Sequence, residues 1–236
     1  MIIEFAQEPV FGITLTIGAY FLGCFLYKKK KIAIFHPILV SLFIIFSCLI
    51  VFDISFDSYN NGGRYISILL GPATVALAIP MYKKLELLKE NLIVILLSIL
   101  LSSFIAILMV VGLGIILNTD NLLLLSLIPK SVTTPIAVEI SEQIGGIMAL
   151  TAAAVIVTGL LGGMFGPELN RLFKVKSTIA KGMTMGITAH GLGTARALEE
   201  SEQEGALGGL AICVMGFFTA INAPILLLVL EYFGFI

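Results

Sequence analysis

The chain has 236 residues, of which 58% are hydrophobic and 12% charged, with a net charge of −1 and a mean hydropathy of +1.08. A soluble domain is usually about 25% charged, so this composition excludes a soluble enzyme and gives no footing for nucleic acid. The apolar stretches run unbroken instead of alternating with polar residues, which favours membrane helices over a barrel. The expectation is one all-α, polytopic membrane domain over residues 1–236, with N-terminal helices in 1–90 serving as a scaffold and a repeat-containing core in 91–236.

A helix needs about 20 apolar residues to cross the hydrocarbon core. The first run, Pro9–Tyr27, has no basic region before it and is followed by Lys28–Lys31. It lacks a small-residue cleavage site, so a retained span is expected, not a signal peptide. Pro37–Phe52, Tyr65–Tyr82, Asn91–Leu117, Ile144–Phe165 and Ala206–Phe233 read as further spans. Leu122–Glu142 and Ser177–Glu200 are ambiguous. Cys24, Cys48 and Cys213 lie far apart in apolar runs and form no disulfide or metal pattern, so no metal or cofactor is expected.

Short loops rich in Lys and Arg stay in the cytoplasm. Lys28–Lys31, then Lys83, Lys84 and Lys89, fall on one side, whereas Asp53, Asp57, Asn60 and Asn61, then Asn118 and Asp120, fall in loops on the other. If Leu122–Glu142 crossed, Arg171, Lys174, Lys176 and Lys181 would face outward. If it dips in and returns, those four stay inside, and Ser177–Glu200 becomes a second dip from the opposite face. The second topology is preferred.

"TPIAVEISEQ" (134–143) matches "TARALEESEQ" (194–203) without gaps at Thr134/Thr194, Ala137/Ala197, Glu139/Glu199 and the final Ser-Glu-Gln. Gly145/Gly205 and Leu150/Leu210 continue the pairing, and a long apolar span follows each copy. Chance can produce such a match, but the equivalent placement favours a true repeat. Entering from opposite faces, the copies form an inverted repeat, an arrangement of many secondary transporters whose solute sites lie at broken helices near the midplane.

The chemistry would sit at the two dips. In "SLIPKSVTTPIAVEIS", Pro129 and Pro135 prevent a continuous helix. Ser131, Thr133 and Thr134, with Pro135 near a first helical position, look like a helix start. Free N–H groups and the helix dipole favour an anion there. Lys130 can add charge, or can snorkel to the interface. In "MTMGITAHGLGTARALEE", Gly186, Gly191 and Gly193 permit tight turns, and Thr188 and Thr194 offer hydroxyls. His190 can carry a proton, with an unperturbed pKa of about 6.5, or can be a packing histidine. Arg196 can grip a carboxylate in two parallel hydrogen bonds, or can pair structurally with Glu139 or Glu199. Gly71-Pro72, with Thr74, marks a third broken or merely kinked element. Asn222 beside Pro224 marks another interruption, facing solute or bonding a neighbouring backbone. No catalytic constellation and no P-loop is visible, so neither an enzyme nor an ATP-driven pump is expected.

"LLGPATVALAIPMYKK", "PKSVTTPIAVEIS" and "GITAHGLGTARALEE" resemble, in order, three sequence blocks of the LrgB/CidB family. The resemblance implies bacterial plasma-membrane proteins described as antiholin-like, or as regulators of murein hydrolase export and cell lysis. A smaller membrane partner of the LrgA type commonly accompanies them. It also implies relatives that carry glycolate, glycerate or pyruvate, and it points to Thr133, Thr134, Pro135, His190, Gly191, Thr194 and Arg196 as site positions. The expected function is a secondary transporter of small monocarboxylates, elevator-like and proton-coupled through His190, in a homodimer. The alternative is a holin or antiholin-type regulator, although buried polar residues are a costly feature for a simple pore former.

Overall fold

The computed structural model describes residues 6–30, 35–69, 72, 75–76 and 78–232, and these are helical, with no strand among them. The chain divides into two compact units, Met1–Ala76 and Leu77–Ile236.

In the first unit, α1 (Pro9–Lys29) and α2 (Pro37–Val51) each open on a proline in the first turn. Proline suits that place, where its missing N–H has no intrahelical partner anyway. Lys28 and Lys29 close α1, on the negative end of its dipole. The polar stretch expected to be a loop instead forms α3 (Phe56–Ser67). Ser55 caps it by accepting from the Ser58 N–H, and Asp57 lies in its first turn. Tyr59 anchors α3 on α1, its hydroxyl 2.8 Å from Thr16 Oγ1. Part of the expected span Tyr65–Tyr82, including Gly71 and Thr74, lies outside the described residues.

The second unit begins with two short helices, α4 (Ala78–Lys83) and α5 (Leu85–Glu90). Three long apolar helices frame it: α6 (Leu92–Ile116), α9 (Met148–Leu172) and α11 (Glu202–Tyr232). At 1.5 Å per residue, α6 and α9 are each about 37 Å long, enough to cross a core of about 30 Å. With α1 they are the four helices long and apolar enough to span, among the described residues. The interruption expected at Asn222 and Pro224 does not break the chain, because α11 runs through Pro224. Membrane helices tolerate proline where neighbouring groups satisfy the freed backbone.

The two ambiguous segments are hairpins. The first comprises α7 (Asn121–Leu127), a turn through residues 128–133, and α8 (Thr134–Gln143). Its mouth is fastened to the start of α9 by a hydroxyl network. Ser126 Oγ accepts the Ile147 N–H at 2.7 Å. Thr151 Oγ1 lies 2.8 Å from the Ser126 carbonyl oxygen and 2.7 Å from Ser141 Oγ. Ser126, Ser141 and Thr151 are wholly buried. Gly145 makes the turn out of α8 with φ 83°, a conformation that suits glycine.

The second hairpin is α10 (Thr178–Glu200), which breaks at His190 (φ 40°, ψ −125°). Beyond the break the chain doubles back. A Cβ on Gly193 would overlap the Met185 carbonyl and lie 2.6 Å from the Ala189 Cβ. In an unbroken helix, residues 185 and 193 would be about 12 Å apart. Residues 178–189 pack antiparallel on α9, with Met185 beside Gly166 and His190 beside Gly159. This hairpin therefore opens at the end of α9, where Arg171 approaches Glu200 at 3.7 Å. The two hairpins enter from opposite ends of α9, which makes the sequence repeat an inverted repeat in space. Lys83, paired with Glu202 at 2.7 Å, lies with Arg171 and Lys181 at the end where the second hairpin opens. The preferred topology requires that grouping.

Candidate functional site

Each hairpin reaches about halfway. α8 has 10 residues, or about 15 Å, and residues 178–189 extend about 18 Å, against about 37 Å for α9. The Ile136 side chain lies against Gly216, near the middle of α11. His190 Nε2 lies 3.0 Å from the Val155 carbonyl, in the first half of α9. Both hairpins feed one apolar cluster. Val132, Ala137 and Ile140 come from the first, and Met183 and Ile187 from the second, with Leu207, Ala211 and Met215 of α11 between.

At the first tip, Thr133 occupies the N-cap position of α8 in extended backbone, and its side chain makes no cap bond. Pro135 stands in the opening turn and has no N–H to give. The N–H groups of Thr134 and Ile136 have no intrahelical partner, as at any helix start. Ser131 is buried, while Thr133 and Thr134 are half-buried. The helix start expected from the sequence is present, and its positive end points to mid-depth.

Lys130 stands at the same tip, half-buried. Its polar contact among the described residues is Ser131 Oγ at 3.5 Å, and no carboxylate among them pairs with it. A lysine at the centre of a membrane helix costs about 2.5–3.5 kcal/mol on insertion scales. Sequence reasoning left Lys130 among supporting residues, because the missing counter-ion shows only in three dimensions.

At the second tip, His190 is 7% exposed and carries the turn itself, since Gly191 has no positive φ. A non-glycine residue in this backbone conformation is strained by about 1–3 kcal/mol, and such strain gathers at functional sites. The bond to Val155 offsets part of it. Thr194 is wholly buried in the first turn after the break, and its hydroxyl makes no hydrogen bond. Thr219 of α11, 2% exposed, also has an unpartnered hydroxyl, and nothing in the sequence marks it. Thr188 is exposed and returns its hydroxyl to the Thr184 carbonyl at 2.7 Å.

Two other expected site residues are engaged elsewhere. Arg196 stands about 9 Å past His190 along the returning helix, toward the mouth. Its fork is filled by Glu199 at 2.7 Å and Glu200 at 2.8 Å, the structural pairing foreseen for Glu199 with Glu200 added. Glu139 does not take part and instead accepts from Gln143 Nε2 at 3.3 Å. Asn222 Nδ2 donates to Ser103 Oγ of α6 at 2.6 Å, tying α11 to α6. The crevice at the mouth, about 40 Å³ and lined by Pro167, Arg171, Lys181 and Glu200, is too small for more than a water or two. The structure thus brings Ser131, Thr133, Thr134 and Pro135 to one tip and His190, Gly191 and Thr194 to the other, while Arg196 is engaged by Glu199 and Glu200 and Asn222 by Ser103.

Three curated relatives match along nearly their whole length. Antiholin-like protein LrgB of Bacillus subtilis (strain 168) is 36% identical over 223 residues, 94% of this chain and 96% of that protein. Uncharacterized protein YwbG of the same organism is 37% identical over 218 residues, 92% of this chain and 97% of that one. Antiholin-like protein LrgB of Bacillus cereus (strain B4264) is 36% identical over 219 residues, covering 92% and 95%. No solved structure matches the chain. The LrgB-like family model matches residues 16–229, and with these relatives it establishes that the chain is a membrane protein of the LrgB family.

Proposed function

We propose that this protein is a secondary transporter of small monocarboxylates of the pyruvate, glycolate or glycerate class, working in the bacterial plasma membrane. One observation carries the reading: two hairpins enter from opposite ends of α9 and each starts a helix near mid-depth, at Thr134 and just after His190. Two helix N-termini directed at the midplane suit an anion, as in transporters built on inverted repeats. The buried, unpartnered hydroxyl of Thr194 suits a polar guest. His190 is the candidate proton carrier, and motion of one bundle against another would alternate access.

A second reading is antiholin-type control of murein hydrolase activity and cell lysis. The names of the relatives from B. subtilis and B. cereus favour it. It can coexist with transport, because a name taken from a lysis phenotype does not specify the molecular activity behind it. A homodimer and a smaller partner of the LrgA type fit either reading.

Purified protein in liposomes discriminates between them. A transporter takes up labelled pyruvate, glycolate or glycerate with saturation and counterflow, and His190→Gln flattens its dependence on pH. A lesion former releases trapped dye without saturation. Dye leakage with no saturable uptake of any of the three acids would end the transport reading, and an unaltered pH profile in His190→Gln would remove the histidine from coupling.

A further inference from the structure

Three cationic side chains near the two hairpins differ in their partners. Arg196 holds two carboxylates in its own helix, Glu199 and Glu200. Arg171 shares Glu200 at 3.7 Å. Lys130, at the tip of the first hairpin, has no carboxylate partner among the described residues, and its polar contact there is the buried hydroxyl of Ser131. Its neighbours on the chain add donors without adding negative charge. Ser131 and Thr133 offer hydroxyls, and the start of α8 offers N–H groups that no side chain caps. Val132 and Pro129 are buried beside it, which holds the tip rigid.

A cation at this depth is tolerated where it lines a wet cavity or meets an anion that comes and goes. Pro135 is exposed at the tip, Lys130 and Thr134 are half-buried beside it, and no acidic residue occurs in the stretch 121–138. We propose that Lys130, not Arg196, is the group that binds the substrate carboxylate, with Ser131 and the first turn of α8 as co-ligands. Arg196 is a positioning residue that closes the mouth of the second hairpin through Glu199 and Glu200. The inference rests on the transport reading and names the charge partner within that site. A lysine suits the role because its ammonium is a compact point charge on a flexible stem, able to follow a carboxylate as the site opens. An arginine already gripped by two acids would have to break both contacts for each substrate.

The test uses the full-length protein in liposomes. Lys130→Gln raises the KM for pyruvate by about thirtyfold or more, as expected when one partner of a desolvated charge pair is removed. It also erases the preference for pyruvate over its neutral amide. Lys130→Arg restores the charge and recovers most of that preference. A wild-type KM and preference in Lys130→Gln would overturn the proposal while leaving transport intact. Should Lys130→Gln fail to fold, the unaltered protein serves. Pyruvate slows modification of Lys130 by an amine-reactive reagent and leaves Lys83 and Lys174 unaffected, as read by mass spectrometry. No protection of Lys130 would overturn the assignment. If wild-type protein takes up none of pyruvate, glycolate and glycerate and is stabilised by none of them against heat, the transport reading falls and this inference falls with it.

Discussion

At the scale of single residues, two neighbouring glycines of the second hairpin look alike in the sequence and differ in the structure. Gly193 lies against the Met185 carbonyl and the Ala189 methyl, whereas a Cβ on Gly191 would meet nothing within 4 Å. Gly193→Ala therefore forces the two arms apart and lowers stability by about 1–3 kcal/mol, the usual cost of overpacking. Gly191→Ala stays close to wild type. Thermal unfolding of the two variants in detergent checks the contrast, and equal losses would mean that the arms do not touch at Gly193. From sequence, both glycines were read as turn-makers. The turn falls on His190, because the Val155 carbonyl holds its ring and fixes the backbone there. That carbonyl is 35 residues away, and no local pattern announces it. Arg196 shows the converse. Its spacing to Glu199 and Glu200, three and four residues on, is the spacing of helical ion pairs and was readable. That spacing decides the matter only once residues 191–200 are a plain helix, which the break at His190 makes them.

At the scale of elements, the two hairpins are fastened by different chemistry. The first is held at α9 by Ser126, Ser141 and Thr151, wholly buried, with hydroxyl contacts of 2.7 and 2.8 Å. Interhelical bonds of this kind average about 0.6 kcal/mol in membranes, with a maximum near 1.7. The second is held at its mouth by Arg171, Arg196 and Glu200, whose side chains are 62%, 18% and 34% exposed. Exposed ion pairs contribute about 0–1 kcal/mol and weaken with salt. Thr151→Val should therefore destabilise the protein measurably and independently of salt. Glu200→Gln should scarcely shift unfolding but should increase proteolysis or labelling between residues 196 and 201. The reverse pattern would show that the second hairpin, not the first, is the fixed one. The repeat that pairs Thr134 with Thr194 was legible because both copies keep the residues that start and end the returning arm. The difference in fastening was not, since Ser126 and Thr151 have no polar counterparts in the second copy, where Gly186 and Ala211 stand instead. In the first unit, α3 was missed for a related reason. Its asparagines and glycines read as loop, and only Ser55 as cap and the Tyr59–Thr16 contact show why it is a helix.

At the scale of the whole molecule, sidedness decides which compartment each hairpin opens toward. α9 is about 37 Å long, and the residues at its two ends must face opposite compartments if it spans. Ser126, Ser141 and Ile147 lie at one end, and Arg171, Lys181 and Glu200 at the other. Basic residues gather at the second end, which the positive-inside rule assigns to the cytoplasm. Asn118 precedes α7 and so belongs with the first end, while Lys174 follows α9 and belongs with the second. Asn118→Cys and Lys174→Cys, each introduced after the exposed Cys213 and the half-exposed Cys24 and Cys48 have been replaced, report this directly. In intact cells, a membrane-impermeant maleimide should label residue 118 and not residue 174. After permeabilisation it should label both. Labelling of both before permeabilisation would mean that the first hairpin crosses the membrane after all. Opposed entry of the two hairpins, on which the inverted repeat and the proposed site depend, would then be lost.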